Sequence, residues 1–519
     1  ADLHLPNMLV GKVLRSPHAH ARIRSIDTAR AEKLPGVKAV VTRDDFEEQP
    51  SGSIQAGEMM IKFRDVVRII MAREKALFQG HPVAAVAAIN PAIAREALSL
   101  IDVDYEALPH VINVVEAMTP EAVLIQEDLL TEGVDPTPTI PSNIAKRMEA
   151  GHGDVDIGFA NADLVIEREF NTQPVHQGYI EPHACVASFA EDGQAELWCC
   201  TQGHYVVRAL CAQLLNMDLS MLRVTPSEIG GGFGGKTVVY LEPLALMLSR
   251  KTCQPVKMVM TRDEVFKASG PMSGANMRVK IGATSDGRIT AGEGTFHFQA
   301  GAFPGSAAQH AIRCAFAPYD IEHVRCIGFD VLVNLPKVAA YRAPGAPVSA
   351  YAVESVVDEI AKKLNIDPIE FRLKNAAKEG TKSSYGPKYG PIGLIETLRA
   401  AKLHDHYKSV LSPGHGRGVA SGYWFNIGGQ SAVTLNVAED GTVALLIGSP
   451  DIGGSRASLG MMVAEELGID LDKVRPMVTD TNALGYNFLT GGSRVTFATG
   501  KVAVYAARDL ISKLRQRAA

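Results

Sequence analysis

The sequence predicts a mixed α/β chain of about three units, α+β in its larger parts. Short strand-like apolar runs recur beside Ala- and Leu-rich helical stretches, and Pro/Gly-rich segments divide them. At 519 residues the chain is also too long for one core. Hydrophobic content of 46% with 21% charged residues is ordinary for a globular protein. A formal net charge of −5 gives no electrostatic case for nucleic acid or an anionic membrane. No stretch approaches the roughly 20 uninterrupted apolar residues of a membrane span. The start, Ala1-Asp2-Leu3-His4-Leu5-Pro6, has no basic region before an apolar run, so no signal peptide is expected. Seven cysteines, none in C-x-x-C, speak for free buried thiols in a reducing, cytoplasmic setting and against an iron–sulfur cluster in this chain.

Residues 1–115 read as an α/β unit. Leu9 to Arg15 and Pro35 to Val41 are strand-like, and Gly80 to Ala87 repeats that pattern of turn and strand. Pro91 to Leu100 is a short helix, and Ile101 to Tyr105 alternates like a strand. His18 and His20 would share a strand face, but further ligands for a metal are not evident. Residues 116–159, with the Pro-rich stretch Pro136 to Ser142, read as a linker. Residues 160–400 form the largest unit, and 401–519 a further one ending in a helix from Val502 to Arg517.

The densest signal is Gly230-Gly231-Gly232-Phe233-Gly234-Gly235-Lys236-Thr237, with five glycines in eight residues. It lies between a strand-like run at Leu222–Thr225 and a helical run over Val238–Ser249. Such a turn aims free N–H groups at an anion, and the string satisfies G-x-x-x-x-G-K-[ST], so a P-loop NTPase is one reading. That reading needs an acid ending an apolar strand to hold Mg²⁺. The nearest candidates are Asp263, which has Arg262 beside it, and Asp330, which follows too short a run. Three more loops share this chemistry. Ala340-Tyr341-Arg342-Ala343-Pro344-Gly345 places an arginine before a helix over about 350–364. Gly453-Gly454-Ser455-Arg456 and Gly491-Gly492-Ser493-Arg494 each follow an extended run, Val443–Ser449 and Val474–Thr481, and precede helical sequence. Two glycine–serine anion loops suggest an extended ligand with several phosphate-like contacts.

Together with Ser16-Pro17-His18-Ala19, Gly80-His81-Pro82-Val83, His176 to Pro182 and Thr201-Gln202, these motifs make the chain resemble the molybdenum-cofactor-binding large subunit of the xanthine oxidase/aldehyde oxidase family of molybdenum hydroxylases. The resemblance implies an α/β hammerhead domain (1–115), a molybdenum-cofactor-binding α+β domain (160–400) and the first part of a second such domain (401–519). It implies molybdenum held by a molybdopterin dithiolene, often in bacteria as the cytosine dinucleotide, with no direct protein ligand. Gln202 is then expected to hydrogen-bond an oxygen ligand of the metal, with the Gly232-Phe233-Gly234 backbone, Arg342 and the Gly491-Gly492-Ser493-Arg494 loop close to it. Gly453, Gly454, Ser455 and Arg456 are expected along the pterin. The reaction implied is hydroxylation of an electron-poor carbon with oxygen from water, helped by a glutamate base. Two electrons then pass to 2Fe–2S and FAD groups on partner subunits.

Three departures shape the expectation. The family's catalytic glutamate lies in a segment beyond Arg494 that this sequence does not contain, so either a second molybdenum-binding polypeptide completes the site or the chain is a fragment. A catalytically inactive cofactor-binding subunit is the further alternative. Gly453-Gly454-Ser455 stands where the family usually has Gly-Gln-Gly, a change worth about one hydrogen bond of 0.5–1.5 kcal/mol, and Arg456 is a candidate to compensate. Thr237, Ala343 and Pro344 replace the glutamate, copper-binding cysteine and stacking phenylalanine of the purine- and carbon-monoxide-oxidising members. An aldehyde, an N-heteroaromatic or an aromatic thioester remains as substrate.

Overall fold

The computed structural model describes residues 2–48, 52–56, 59–425 and 427–519. Leu9–Arg15 is a strand, as its alternation predicts, but its partners come from two distant parts of the chain. It runs antiparallel to Pro82–Ala88 and parallel to Val256–Val259. The result is a seven-stranded mixed sheet in the order Leu222–Pro226, Ala195–Cys199, Ala184–Phe189, Val256–Val259, Leu9–Arg15, Pro82–Ala88, Val37–Val41. Residues before 115 and residues 184–259 therefore share one sheet. Pro82–Ala88, with sequence PVAAVAA, is buried along its whole length. Its small side chains let neighbouring layers pack closely on both faces, which suits a central strand.

The helix at Pro91–Leu100 forms where proline in the first turn and an asparagine cap predict it, with the Asn90 side chain accepting from the N–H groups of Ala92 and Ile93. Helices His204–Leu214 and Glu242–Thr252 cover the sheet and bury Leu210, Leu244, Leu246 and Leu248 in its main core.

The expected linker 116–159 is only partly a linker. Ile144–His152 is an edge strand of a five-stranded sheet in the order Leu164–Thr172, Ala275–Ala283, Ile289–Gly301, His323–Leu332, Ile144–His152. The Pro-rich stretch makes the crossing, and the chain enters the sheet at once after it. Ala346–Lys363 packs against this sheet through Val353, Val356, Val357 and Ile360. A three-stranded sheet, Val433–Val437, Val443–Ile447 and Val474–Val478, carries Ser455–Leu467 and Gly500–Ala518. Among the described residues, no helix is long and apolar enough to cross a membrane.

His18 lies in a bend rather than on a strand. His20 is buried, with Nδ1 2.7 Å from the carbonyl of Pro109. All seven cysteines are free and only Cys253 is exposed.

Candidate functional site

Four loops from different elements converge on one cavity of about 560 Å³. Its walls include Gln202, Phe233, Gly234, Thr237, Arg342, Ala343 and Pro344 on one side, and Ser455 with Thr490 to Thr496 on the other. Ala340, from the same motif as Arg342, and Ile452, which the sequence did not single out, complete it. Concavities of about 1010 Å³ beside Ile144–His152 and about 740 Å³ at Arg64–Lys75 are larger. Both are lined in part by charged groups already in ion pairs, such as Arg147–Glu149, Arg64–Asp128 and Lys75–Glu127. Most of the sequence-predicted residues gather in the smaller one, whereas Gly232, Gly453, Gly454 and Arg456 lie outside its lining.

Its backbone is unusual. Among the described residues, seven non-glycine residues adopt positive φ: three are asparagines and Cys253 ends a helix, while the other three are Phe233 (51°), Ala343 (59°) and Ser493 (62°). All three line this cavity. Left-handed backbone costs an L-residue about 1–2 kcal/mol, so the clustering marks a wall whose shape is held against local preference.

Gln202 fastens the two sides together. Its side-chain carbonyl accepts from the N–H of Gly234 (2.9 Å) and of Lys236 (3.2 Å), and its amide donates to the carbonyl of Thr490 at 2.7 Å. One amide hydrogen remains for a ligand. The glycines of the loop serve packing rather than close approach of an anion. A Cβ at Gly234 would lie 2.4 Å from the carbonyl of Ala340, at Gly232 2.6 Å from Oε1 of Gln202, and at Gly230 2.6 Å from Cβ of Glu181. The opposite holds at Gly453 and Gly454, which are left-handed (68° and 84°) and have no heavy atom within 4 Å of a Cβ position.

The P-loop reading fails on geometry. Lys236 is fully buried and its Nζ pairs with Glu181 at 2.6 Å. The following helix starts only at Glu242, later than the expected 238, because its own carboxylate accepts from the N–H groups of Tyr240 (2.9 Å) and Leu241 (3.1 Å). A side chain of the protein thus sits where phosphate would.

The arginines divide in a way the sequence did not reveal. Arg342 is exposed, and its guanidinium has no partner among the described residues, while its N–H donates to the carbonyl of Phe233 at 2.9 Å. Arg494, expected as a ligand, is instead buried and structural. It donates to the carbonyls of Gly428 (2.6 Å), Phe488 (3.0 Å), Gly429 (3.1 Å) and Gln430 (2.8 Å), and to the Ser431 hydroxyl at 2.5 Å. Arg456, also expected as a ligand, pairs with Glu228 (2.8 Å) and Asp451 (3.4 Å). Asp451, absent from the sequence reading, further accepts from the Ser455 hydroxyl (3.0 Å) and the Arg456 N–H (3.2 Å). An acid just ahead of a glycine–serine helix start is the cue for such a cap.

Thr237 donates its hydroxyl to the carbonyl of Gly234 at 3.0 Å, so that proton is engaged within the loop. No carboxylate lines the cavity among the described residues. A free guanidinium, a spare amide hydrogen, open left-handed glycines and no acid form a donor set that fits an anionic group.

Such a fold and cavity define a class of cofactor-binding α/β proteins with a preformed anion-accepting wall. The comparisons give the family. Residues 1–109 match the aldehyde oxidase and xanthine dehydrogenase a/b hammerhead domain, and 137–376 and 398–519 match two molybdopterin cofactor-binding domains. The chain is 31% identical over 407 residues to the nicotinate dehydrogenase large molybdopterin subunit of Eubacterium barkeri, spanning 78% of this chain and 90% of that one. It is 29% identical over 565 residues to the carbon monoxide dehydrogenase large chain of Afipia carboxidovorans, spanning all of this chain and 68% of that one. The aldehyde oxidoreductase of Desulfovibrio desulfuricans superposes with a TM-score of 0.86 at 26% identity, over 98% of this chain and 57% of that one. The chain belongs to the molybdenum-binding xanthine oxidase family of oxidoreductases.

Proposed function

We propose that this chain is the molybdopterin-bearing subunit of a hydroxylase acting on an electron-poor carbon. The observation that carries the reading is the convergence of Gln202, Phe233, Arg342 and Gly492-Ser493 on one cavity in which, among the described residues, the Arg342 guanidinium has no partner. When bound, the molybdenum–pterin group supplies the oxygen-transfer and two-electron chemistry. The residues bind and orient. Gln202 offers its remaining amide hydrogen, and Arg342 holds the anionic end. Gly453 and Gly454 admit the extended part of the cofactor, the cytosine dinucleotide in this reading. Thr237, Ala343 and Pro344 give the substrate side a small, uncharged wall, which suits an aldehyde, an N-heteroaromatic or an aromatic thioester.

No carboxylate lines the cavity among the described residues, so in this reading the general base comes either from a further part of a longer chain or from a second molybdenum-binding polypeptide, and electrons leave to iron–sulfur and flavin subunits. The same observation supports one other reading, a subunit that holds the cofactor without turning it over. Metal and pterin analysis of the purified complex tests the proposal. About one molybdenum and one pterin per chain is expected; tight ATP binding without molybdenum refutes it. Hydroxylase turnover once the partner polypeptide is present separates the active from the inactive reading.

A further inference from the structure

The glycine loop that carries Phe233 is closed at its base by one carboxylate oxygen. Oε2 of Glu181 accepts from the N–H of Gly230 at 2.9 Å and from Nζ of Lys236 at 2.6 Å, so the two ends of the loop meet on the same atom. The Glu181 N–H also donates to the carbonyl of Gly230 at 3.2 Å. Glu181 is itself anchored, because Arg262 donates to the carbonyls of Tyr179 (2.9 Å) and Ile180 immediately before it. The Lys236 ammonium is fully buried, lies 4.9 Å from the centre of the Tyr179 ring, and so has no role at the loop's cavity face. Burial, with the Lys236 charge adding to it, holds the His183 imidazole well below its usual range. His183 accordingly stays neutral beside Tyr179, whose hydroxyl lies 2.8 Å from its Nε2.

The far side of the loop is held separately. Gln202 grips the N–H groups of Gly234 and Lys236, and Arg342 donates its N–H to the carbonyl of Phe233. Those contacts set the height of the loop above the cavity. Within the loop the Gly232 carbonyl accepts from the Gly235 N–H at 2.7 Å, closing the turn around Phe233, and the Lys236 carbonyl accepts from the Gln202 N–H at 2.9 Å. The tie between the two ends, Gly230 and Lys236, runs through Oε2 of Glu181.

We propose that Glu181 and Lys236 form a clamp that holds the glycine loop in its strained shape and so sets the position of Phe233 and Gly234 at the cavity. Both are positioning residues and neither touches the ligand. The inference deepens the cofactor-binding reading and rests on it for its catalytic consequence, but the clamp itself is a property of the chain alone.

The test uses Lys236→Met and the double variant Glu181→Gln/Lys236→Met, which leaves no unpaired charge and carries the test should the single variant fail to fold. In the cofactor-free full chain, amide exchange over 230–236 is expected to quicken at least tenfold in both variants, with exchange in Ala184–Phe189 unchanged. In the assembled complex, kcat per bound molybdenum falls at least tenfold while KM stays within twofold. Wild-type exchange in Lys236→Met overturns the clamp. So does recovery of protection in the double variant, which would mean that the pair only neutralises a buried charge. Lower molybdenum content with unchanged turnover per metal reduces the pair to a folding role and also overturns it. If the wild-type complex holds no molybdenum, the functional reading fails, and the exchange data still decide the clamp.

Discussion

Replacing Arg494 by methionine separates a structural arginine from a ligand-binding one on the same wall. The change keeps an unbranched side chain of comparable reach and removes every donor. Five hydrogen bonds are lost; the Gln430 carbonyl keeps the Phe488 N–H (3.0 Å) and the Ser431 hydroxyl keeps Thr499 (3.0 Å), so the carbonyls of Gly428, Gly429 and Phe488 are left without a partner among the described residues. At up to about 1–3 kcal/mol for each of these three carbonyls, the loss is on the order of 3–9 kcal/mol. Removing a buried guanidinium returns several kcal/mol of desolvation, so the net is about 2–4 kcal/mol. Burial accordingly pulls the Arg494 pKa below its usual value, with Tyr486 opposing it. The assay is urea unfolding of the full chain, followed at a probe in Gly500–Ala518. An earlier transition is expected there, with the seven-stranded sheet unaffected. Wild-type stability coupled to loss of bound cofactor would refute the reasoning, because the guanidinium would then be a ligand and not a brace.

Two further outcomes follow from the same geometry. Arg342→Ala should leave stability within about 0.5 kcal/mol of wild type, since its guanidinium has no partner to lose. It should lower molybdenum and pterin content or turnover, and full content with normal activity would remove Arg342 from the site. His81 gives a pH dependence: its Nδ1 accepts from the Leu77 N–H at 3.1 Å and its Nε2 donates to the carbonyl of Arg68 at 2.6 Å, so the neutral ring is the one that fits. Burial lowers its pKa to about 4. The unfolded chain binds this proton from about pH 6.5 downward and the folded chain does not, so stability is full above that pH and falls as pH drops towards 4. The loss from His81 is about 3 kcal/mol, and a His81→Gln variant with an unchanged slope of unfolding midpoint against pH over that window would count against it.

Much of the fold was legible because its signals are local. Asn90-Pro91 marks a helix start, and the alternation in Leu9–Arg15 marks a strand. What strands pair with is not local, so the union of the first hundred residues with 184–259 had no sequence signature. The site divides along the same line. Which loops matter could be read from their glycines, but which polar side chain in each loop faces the ligand could not. Lys236, Arg456 and Arg494 look like anion ligands in sequence, and each is held by other parts of the chain, namely Glu181, the pair Glu228 and Asp451, and the carbonyls of 428–430. A charged residue beside a glycine turn is as ready to fasten the turn as to bind through it.

The strained residues show why so many charges serve as fasteners. Phe233, Ala343 and Ser493 together hold a few kcal/mol of unfavourable backbone energy. A loop left to itself would relax, and the wall would lose its shape. Each strained residue has a brace nearby. Phe233 lies in the loop closed by Glu181 and Lys236, Ala343 directly follows the Arg342 N–H bonded to Phe233, and Ser493 precedes the buried Arg494. Ala343 also precedes Pro344, which already disfavours the right-handed helical region for it. If this coupling is right, loosening a brace should relax the strained residue beside it while leaving distant ones in place. Lys236→Met should therefore shift the backbone resonances of Phe233 and leave those of Ser493 unchanged, whereas Arg494→Met should do the reverse. A common shift of both in either variant would mean that the wall deforms as one body, and that no single brace governs its own turn.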